Sequence, residues 1–251
     1  LGSSKDPDVR SPSSGRLRKD KDPEGIPVRY TSADFGINGK KQSKILQEIL
    51  DINCNDSNKI INTSKISNNL NNWQQKGNLE FFIDFEFITN VITELDSDLL
   101  FMIGLGYRSK KGKWIFKNFT SSHINEDCEK HIFIEFHKYV KQIISKNDNV
   151  STPTGSVNGH SSQIDIPNFY HWGHVEKTIY NKIWDKYEAD LYDCDKIISW
   201  TDFLTVFKNE PIVIKGSLNF SIKTIAKAMY DNKMIKTKWP KSSSGIIDGF
   251  S

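Results

Sequence analysis

Two carboxylates lie two residues apart inside a strongly apolar segment. The segment is Leu79–Thr89, LEFFIDFEFIT, and the carboxylates are Asp84 and Glu86. Its nearly continuous apolar character predicts a central strand that is buried on both faces. Because side chains alternate along a strand, both carboxylates point to one face. Two carboxylates buried together either have raised pKa values or hold a cation between them, and carboxylate oxygens suit Mg²⁺ or Mn²⁺. The alternative is an edge strand with both carboxylates in solvent.

A second group of polar residues lies where a predicted strand meets a predicted helix, in Tyr170–Thr178, YHWGHVEKT. Active sites of α/β sheets collect at the carboxyl ends of strands. Gly173 lets the backbone approach a ligand closely, and Glu176 in the first helical turn can point back over the sheet. The alternatives are that His171 and His174 are ordinary packed or surface histidines, and that Glu176 only favours the helix N-terminus.

A further carboxylate, Asp202, ends the short apolar segment Ser199–Asp202. Its position after a strand makes it a candidate to support a metal site. The alternative is a helix N-cap, which needs no catalytic function.

Hydrophobic periodicity predicts the elements that would position these residues. The predicted strands are Leu79–Thr89, Leu99–Tyr107, Lys113–Phe119, Asn168–Trp172 and Lys196–Asp202, and the predicted helices are 125–146, Val175–Leu191 and Asn219–Asp231. The first three strands form an antiparallel meander, and Asn125 caps the first of these helices. The order βββαβαβα predicts a mixed α/β layered domain.

Composition along the chain predicts three parts. Residues 1–25 are polar and charged, which is typical of a disordered tail or linker. Residues 26–78 contain one amphipathic helical pattern around Ile45–Leu50 and form a small N-terminal helical extension. Residues 79–251 form the α/β domain. Within it, the polar stretch 147–163 is long enough to be a functional or disordered loop.

The overall composition bounds the class of protein. The 251 residues are 37% hydrophobic and 26% charged, with a net charge of +3 that does not demand a polyanionic partner. Apolar runs are much shorter than the ~18 residues of a membrane span, and no secretory leader is visible. Three separated cysteines without a CxxC pair predict an intracellular, reducing compartment such as cytoplasm or nucleus. The many Asn, Ile and Lys residues suggest an AT-rich genome.

Four segments together resemble one known family. They are IDFEF, YHWGHVEKTIYNKI, SWTDFLTVF and SLNFSIKTIAKAMY, and they span most of 79–251. In this order they resemble the predicted RNase H-like nucleases that are often fused to RecB-type nucleases. That family is similar to the DEDD superfamily of 3′–5′ exonucleases. The resemblance implies an RNase H-like mixed sheet flanked by helices.

The resemblance also implies a set of metal ligands. Asp84 and Glu86 match the first motif of the superfamily, and Glu176 lies where the second motif usually has Asp. Asp202 matches a strand-terminal acid of the family. Asp248 is the acid closest to the expected third motif, although no Tyr or His precedes it closely.

The reaction that the resemblance implies is phosphodiester hydrolysis with two Mg²⁺ or Mn²⁺ ions. Asp84 would bridge the ions, Glu86 would orient the water, and Glu176 would hold the second ion. His174 is a candidate general base or phosphate contact, and Lys177 would pair with a phosphate or with Glu86.

Single-stranded nucleic acid is the expected substrate. Lys110 and Lys113 closely precede Trp114, and Trp239 lies among lysines near the end of the chain. Such mixtures of cations and aromatic rings suit backbone contact and base stacking, as does Trp172 beside the second polar group. The alternative is solvated lysines beside packed tryptophans.

Two other functions are consistent with the same sequence. One is a catalytically degenerate RNase H-like domain that binds nucleic acid or a partner domain without cleaving, which the missing third motif favours. The other is a structural module joined to an upstream domain of a larger nuclease or helicase.

Overall fold

The protein is described from a computed structural model. The described residues are 29–55, 58–62, 66–75, 77, 79–89, 98–147, 167–197 and 199–238. The predictions for residues 1–25 and 147–163, and those for Trp239 and Asp248, lie wholly or almost wholly outside them.

A five-stranded mixed sheet forms the centre of the structure. Its strands are β1 (Glu80–Ile88), β2 (Leu99–Arg108), β3 (Trp114–Thr120), β4 (Asn168–His171) and β5 (Trp200–Asp202). Their order in the sheet is β3-β2-β1-β4-β5. The first three strands are an antiparallel meander, as predicted, and β4 and β5 run parallel to β1. The α/β class expected from the sequence is therefore confirmed.

Five helices accompany the sheet in the described part of the chain. They are α1 (Lys40–Asn53), α2 (Glu126–Asn147), α3 (Val175–Tyr187), α4 (Phe203–Asn209) and α5 (Ile222–Asp231). The expected cap of α2 is present, since the Asn125 side chain accepts a hydrogen bond of 2.9 Å from the Cys128 amide. Between α1 and β1, the described residues include a short 3₁₀ turn at Leu70–Asn72.

One face of the sheet carries the hydrophobic core. Aromatic and aliphatic side chains of α2 and α3 pack there against alternate residues of β1, namely Phe81, Ile83 and Phe85. The intervening residues Phe82, Asp84 and Glu86 are exposed. The prediction that β1 is buried on both faces was therefore wrong. The alternative was right that both carboxylates face solvent, but it was wrong that β1 is an edge strand, because β1 is the central strand of the sheet.

The chain divides into two compact units. Residues 65–210 form one unit, which contains the whole sheet with α2, α3 and α4. Residues 1–64 and 211–251 form the other, which contains α1 and α5. Within this second unit the side-chain NH₂ of Asn53 donates to the Ser217 carbonyl, and its side-chain oxygen accepts a hydrogen bond from the Gly216 N–H. The sequence-based division placed 79–251 in one domain, whereas the compact units separate at 64/65 and 210/211.

Among the described segments, no helix is both long enough and apolar enough to cross a membrane.

Candidate active site

The carboxyl ends of the three parallel strands meet at one edge of the sheet. Phe82 of β1 is level with Tyr170 of β4, and His171 of β4 is level with Asp202 of β5. Asp84 follows Phe82 by two residues, and the turn that leads into α3 begins directly after His171. Because parallel strands deliver their following residues to the same edge, this edge gathers the acids singled out in the sequence.

Asp84 lies on the open face of β1, directly opposite Gly104 of β2. The residue as a whole is exposed, but its carboxylate lies between other groups. Partial burial, followed by the negative charges of Glu86 and Glu176, raises the pKa of Asp84 to about 6. Asp84 and Glu86 share the open face of β1, and Glu176 lies at the start of α3, which follows the neighbouring parallel strand β4.

Glu176 is the buried member of this acidic group, which we call the acidic cluster (Asp84, Glu86 and Glu176). It lies in the first turn of α3 and is 9% exposed. Its Oε2 atom has no hydrogen-bond partner. The nearest basic group is Nδ1 of His171 at 3.5 Å, and that nitrogen already bonds the Gly173 carbonyl. An unsatisfied buried carboxylate oxygen is costly, so the site suits a cation or a hydrogen-bond donor.

Gly173 and Asp202 hold the turn that positions Glu176. Gly173 has a φ of 110°, which favours glycine, and its N–H donates to Oδ1 of Asp202 at 2.8 Å. The same oxygen accepts the Leu204 amide, and Oδ2 accepts the Thr205 hydroxyl at 2.6 Å. Burial raises the pKa of Asp202, but the hydrogen bonds from Thr205 and Gly173 outweigh it and hold the pKa below its usual value.

These contacts change the interpretation of Asp202. Both of its carboxylate oxygens are used, because it caps α4 and ties the β4–α3 turn to β5. The N-cap alternative is therefore confirmed, because the Asp202 side chain accepts the Leu204 amide at the start of α4. The expectation that Asp202 also supports a metal stays a prediction.

The other predicted residues are more dispersed. His174 and Lys177 are exposed at the start of α3, beside the acidic cluster in sequence. Trp172 is half-buried and packs its ring against Phe207, with centroids 5.1 Å apart. Lys110 and Lys113 are exposed in the β2–β3 turn.

Sequence reasoning alone did not identify Phe82 as a neighbour of the acids. Its signal was the alternation in the first motif, in which Phe82, Asp84 and Glu86 alternate with three core residues. Because Phe82 is as apolar as its buried neighbours Phe81 and Ile83, hydrophobicity did not show that Phe82 belongs to the exposed face.

The acidic cluster has the ligand type that a metal ion requires, but its side chains are not arranged around a metal position. Three carboxylates with one unsatisfied oxygen form the hard oxygen donor set that Mg²⁺ and Mn²⁺ prefer. Yet among the described residues no group of three or more His, Cys, Asp or Glu side chains is arranged to hold a metal ion.

Comparison with known proteins adds no relative. No family model, curated protein or solved structure matches this chain. The function must therefore be inferred from the acidic cluster and the sheet that carries it.

Proposed function

We propose that the chain is a metal-dependent nuclease that hydrolyses phosphodiester bonds of DNA or RNA, as a 3′–5′ exonuclease. One observation carries the proposal. The buried Glu176 has a carboxylate oxygen without a hydrogen-bond partner, and the pKa of Asp84 is raised by burial and by the charges of Glu86 and Glu176. Repelling carboxylates at the ends of parallel strands are expected where a cation is to be bound.

The fold supports the RNase H-like assignment. The sheet order is β3-β2-β1-β4-β5, and β2 is the one strand of the five that runs antiparallel to the other four. This agrees with the mixed sheet that the resemblance to RNase H-like nucleases implies. The first two motifs of that resemblance lie on β1 and at the start of α3, which follows the strand next to β1 in the sheet.

In this proposal Asp84, Glu86 and Glu176 hold the metal. Bound Mg²⁺ or Mn²⁺ would supply a nucleophilic water at neutral pH and stabilise charge on the phosphate. The exposed His174 is placed to take up a proton, and Lys177, on the next helical turn, is placed to contact a phosphate oxygen. Asp202 acts through the Gly173 turn and is a positioning residue.

The test is cleavage of end-labelled single-stranded DNA and RNA with Mg²⁺ or Mn²⁺ and with EDTA. We expect cleavage only with metal, and a loss on the order of 10³-fold or more in Asp84→Asn. Asp127→Asn is the matched control, because Asp127 is an exposed acid in the first turn of α2. Wild-type rates in Asp84→Asn would exclude Asp84 as a catalytic residue.

A second candidate is a domain that binds nucleic acid or a partner domain without cleaving. It is favoured by the absence of a ready-made metal group among the described residues and by the capping role of Asp202. Thermal melts with and without Mn²⁺ separate the two candidates. Nuclease activity with a Mn²⁺-dependent rise in melting temperature supports the enzyme, and the absence of both supports the binding domain.

A further inference from the structure

The open face of the sheet carries exposed aromatic rings. Phe116 is 62% exposed, Trp114 46% and Phe82 37%. The Phe82 ring lies 5.4 Å from the Trp114 ring and stacks on Tyr170 at 5.2 Å. We call Phe82, Trp114 and Phe116 the aromatic face. Neighbouring large apolar side chains left open to water on a folded domain mark an interaction surface.

A glycine of β2 lets one of these rings lie against the sheet. A Cβ atom at Gly106 would lie 2.5 Å from Cζ2 of Trp114, which is too close for the indole to stay in place. At Gly104 the nearest atom would be Cε2 of Phe116 at 3.5 Å, an ordinary contact, so the Phe116 ring does not need a glycine there. Both rings therefore lie against the β2 backbone and remain exposed to solvent, where a flat ligand can stack on them.

The aromatic face adjoins the acidic cluster. Gly104, which contacts the Phe116 ring, is directly paired with Asp84 in the sheet. Phe82 precedes Asp84 by two residues and so shares its face of β1. A flat ligand stacked on these rings would extend directly to the acids.

The opposite border of the aromatic face is positively charged. The β2–β3 turn contains Arg108, Lys110, Lys111 and Lys113 and no acid. The Arg108 guanidinium lies over the Trp114 ring, 5.9 Å from its centroid. Flat rings bordered by cations match a polymer that combines flat bases with phosphates. An apolar protein segment carries no negative charge to pair with these cations.

We propose that the aromatic face binds the unpaired bases of a single-stranded nucleic acid. The phosphate backbone follows the cationic β2–β3 turn, and the bases stack on Trp114, Phe116 and Phe82. The proposal deepens the proposed nuclease function, because the path of the strand leads to the acidic cluster, but the binding itself needs no catalysis.

The first test measures binding of a fluorescein-labelled oligothymidylate of about twelve nucleotides by fluorescence anisotropy in EDTA. Trp114→Ala and Phe116→Ala should each weaken binding about tenfold, as expected for the loss of one stacked base. Tyr192→Ala is the control, since Tyr192 is 92% exposed but lies after α3, away from the β2–β3 hairpin. Equal affinities of wild type and both face variants would overturn the proposal.

The second test keeps every ring and every charge. Gly106→Ala should displace the Trp114 indole and weaken binding as Trp114→Ala does, whereas Gly104→Ala should bind as wild type. Thermal melts of both variants verify folding. An abasic oligomer of the same length keeps the phosphates but has no bases to stack. It should therefore bind weakly, and with the same affinity, to wild type and to Trp114→Ala. A Gly106→Ala variant that is folded and binds at wild-type strength would contradict the stacking geometry.

Failure of this proposal is separable from failure of the nuclease. Asp84→Asn should bind the oligothymidylate at least as well as wild type even if it no longer cleaves. Binding without any cleavage would support the aromatic face and reject the nuclease. Cleavage that is unaffected by Trp114→Ala and Phe116→Ala would reject the aromatic face alone. Self-association abolished by Trp114→Ala, with no oligonucleotide binding, would assign the surface to a second copy of the chain and overturn the proposal.

Discussion

Replacing Asp84 by asparagine should stabilise the protein at neutral pH. Partial burial and the charges of Glu86 and Glu176 raise the pKa of Asp84 to about 6. The folded state therefore holds the proton more tightly than the unfolded state. The stability that protonated Asp84 contributes is complete below the unfolded pKa of 3.8 and is lost as the pH rises through about 6. Asparagine keeps the shape of the side chain and removes the repelling charge.

The size of the effect follows from the same pKa. A rise from 3.8 to about 6 corresponds to about 3 kcal/mol at roughly 1.36 kcal/mol per pKa unit. Because Asp84 is exposed, solvent screens the repulsion and we expect about 1 kcal/mol. The gain should be present well above pH 6 and should vanish towards pH 4. Mn²⁺ should reduce it, since a cation bound by the wild-type acids stabilises the folded state.

The assay is urea unfolding followed by tryptophan fluorescence across this pH range. Wild type, Asp84→Asn and the control Asp127→Asn are compared at each pH. Equal midpoints for wild type and Asp84→Asn at neutral pH would refute the repulsion, and a difference that does not change with pH would show that it has another cause.

Three further predictions concern Glu129, His137 and Asp202. The buried Glu129 accepts hydrogen bonds from the Leu100 amide, the Tyr187 hydroxyl and the Lys186 ammonium, so Glu129→Ala should cost about 3 kcal/mol or more in urea unfolding. Glu126→Ala removes an exposed partner of the same Lys186 and should cost under about 1 kcal/mol; similar costs for the two variants would contradict the burial argument. Burial lowers the pKa of His137 to about 4, so wild type should lose stability as the pH falls from about 6.5 towards 4, and His137→Leu should lose less in thermal melts. Asp202→Ala should cost about 1–2 kcal/mol through its cap; a lost Mn²⁺ response with unchanged stability would instead identify Asp202 as a ligand.

Most of the sheet could be predicted from the sequence because its strands are short, apolar and separated by clear turns. The hairpin between β2 and β3 and the cap of α2 depend only on local residues. The exposure of one face of β1 could not be predicted, because Phe82 is as apolar as the buried Phe81. Hydrophobicity alone does not distinguish a core ring from a ring on an open face.

The positions of the three acids on the sheet could be predicted, but not their surroundings. Asp84 and Glu86 lie within β1 and Glu176 follows β4, and the carboxyl ends of parallel strands meet at one edge of a sheet. Asp202 has the same sequence signature, but its role depends on where the Gly173 and Leu204 amides lie in space. The grouping of 211–251 with 1–64 likewise depends on long-range amide contacts that no local pattern encodes.

The alternation of β1 links stability, binding and chemistry in one strand. Burial of Phe81 and Phe85 stabilises a strand whose other face carries unfavourable groups, a water-exposed ring at Phe82 and repelling acids at Asp84 and Glu86. Both unfavourable features would be relieved by ligands, the ring by a stacked base and the acids by a cation. A ligand that binds only the folded state stabilises it in proportion to its affinity. Oligonucleotide and Mn²⁺ should therefore each raise the melting temperature of wild type, the first through Trp114 and Phe116 and the second through the acidic cluster. If Trp114→Ala removed only the first response and Asp84→Asn only the second, the two surfaces would be independent sites on one face of the sheet.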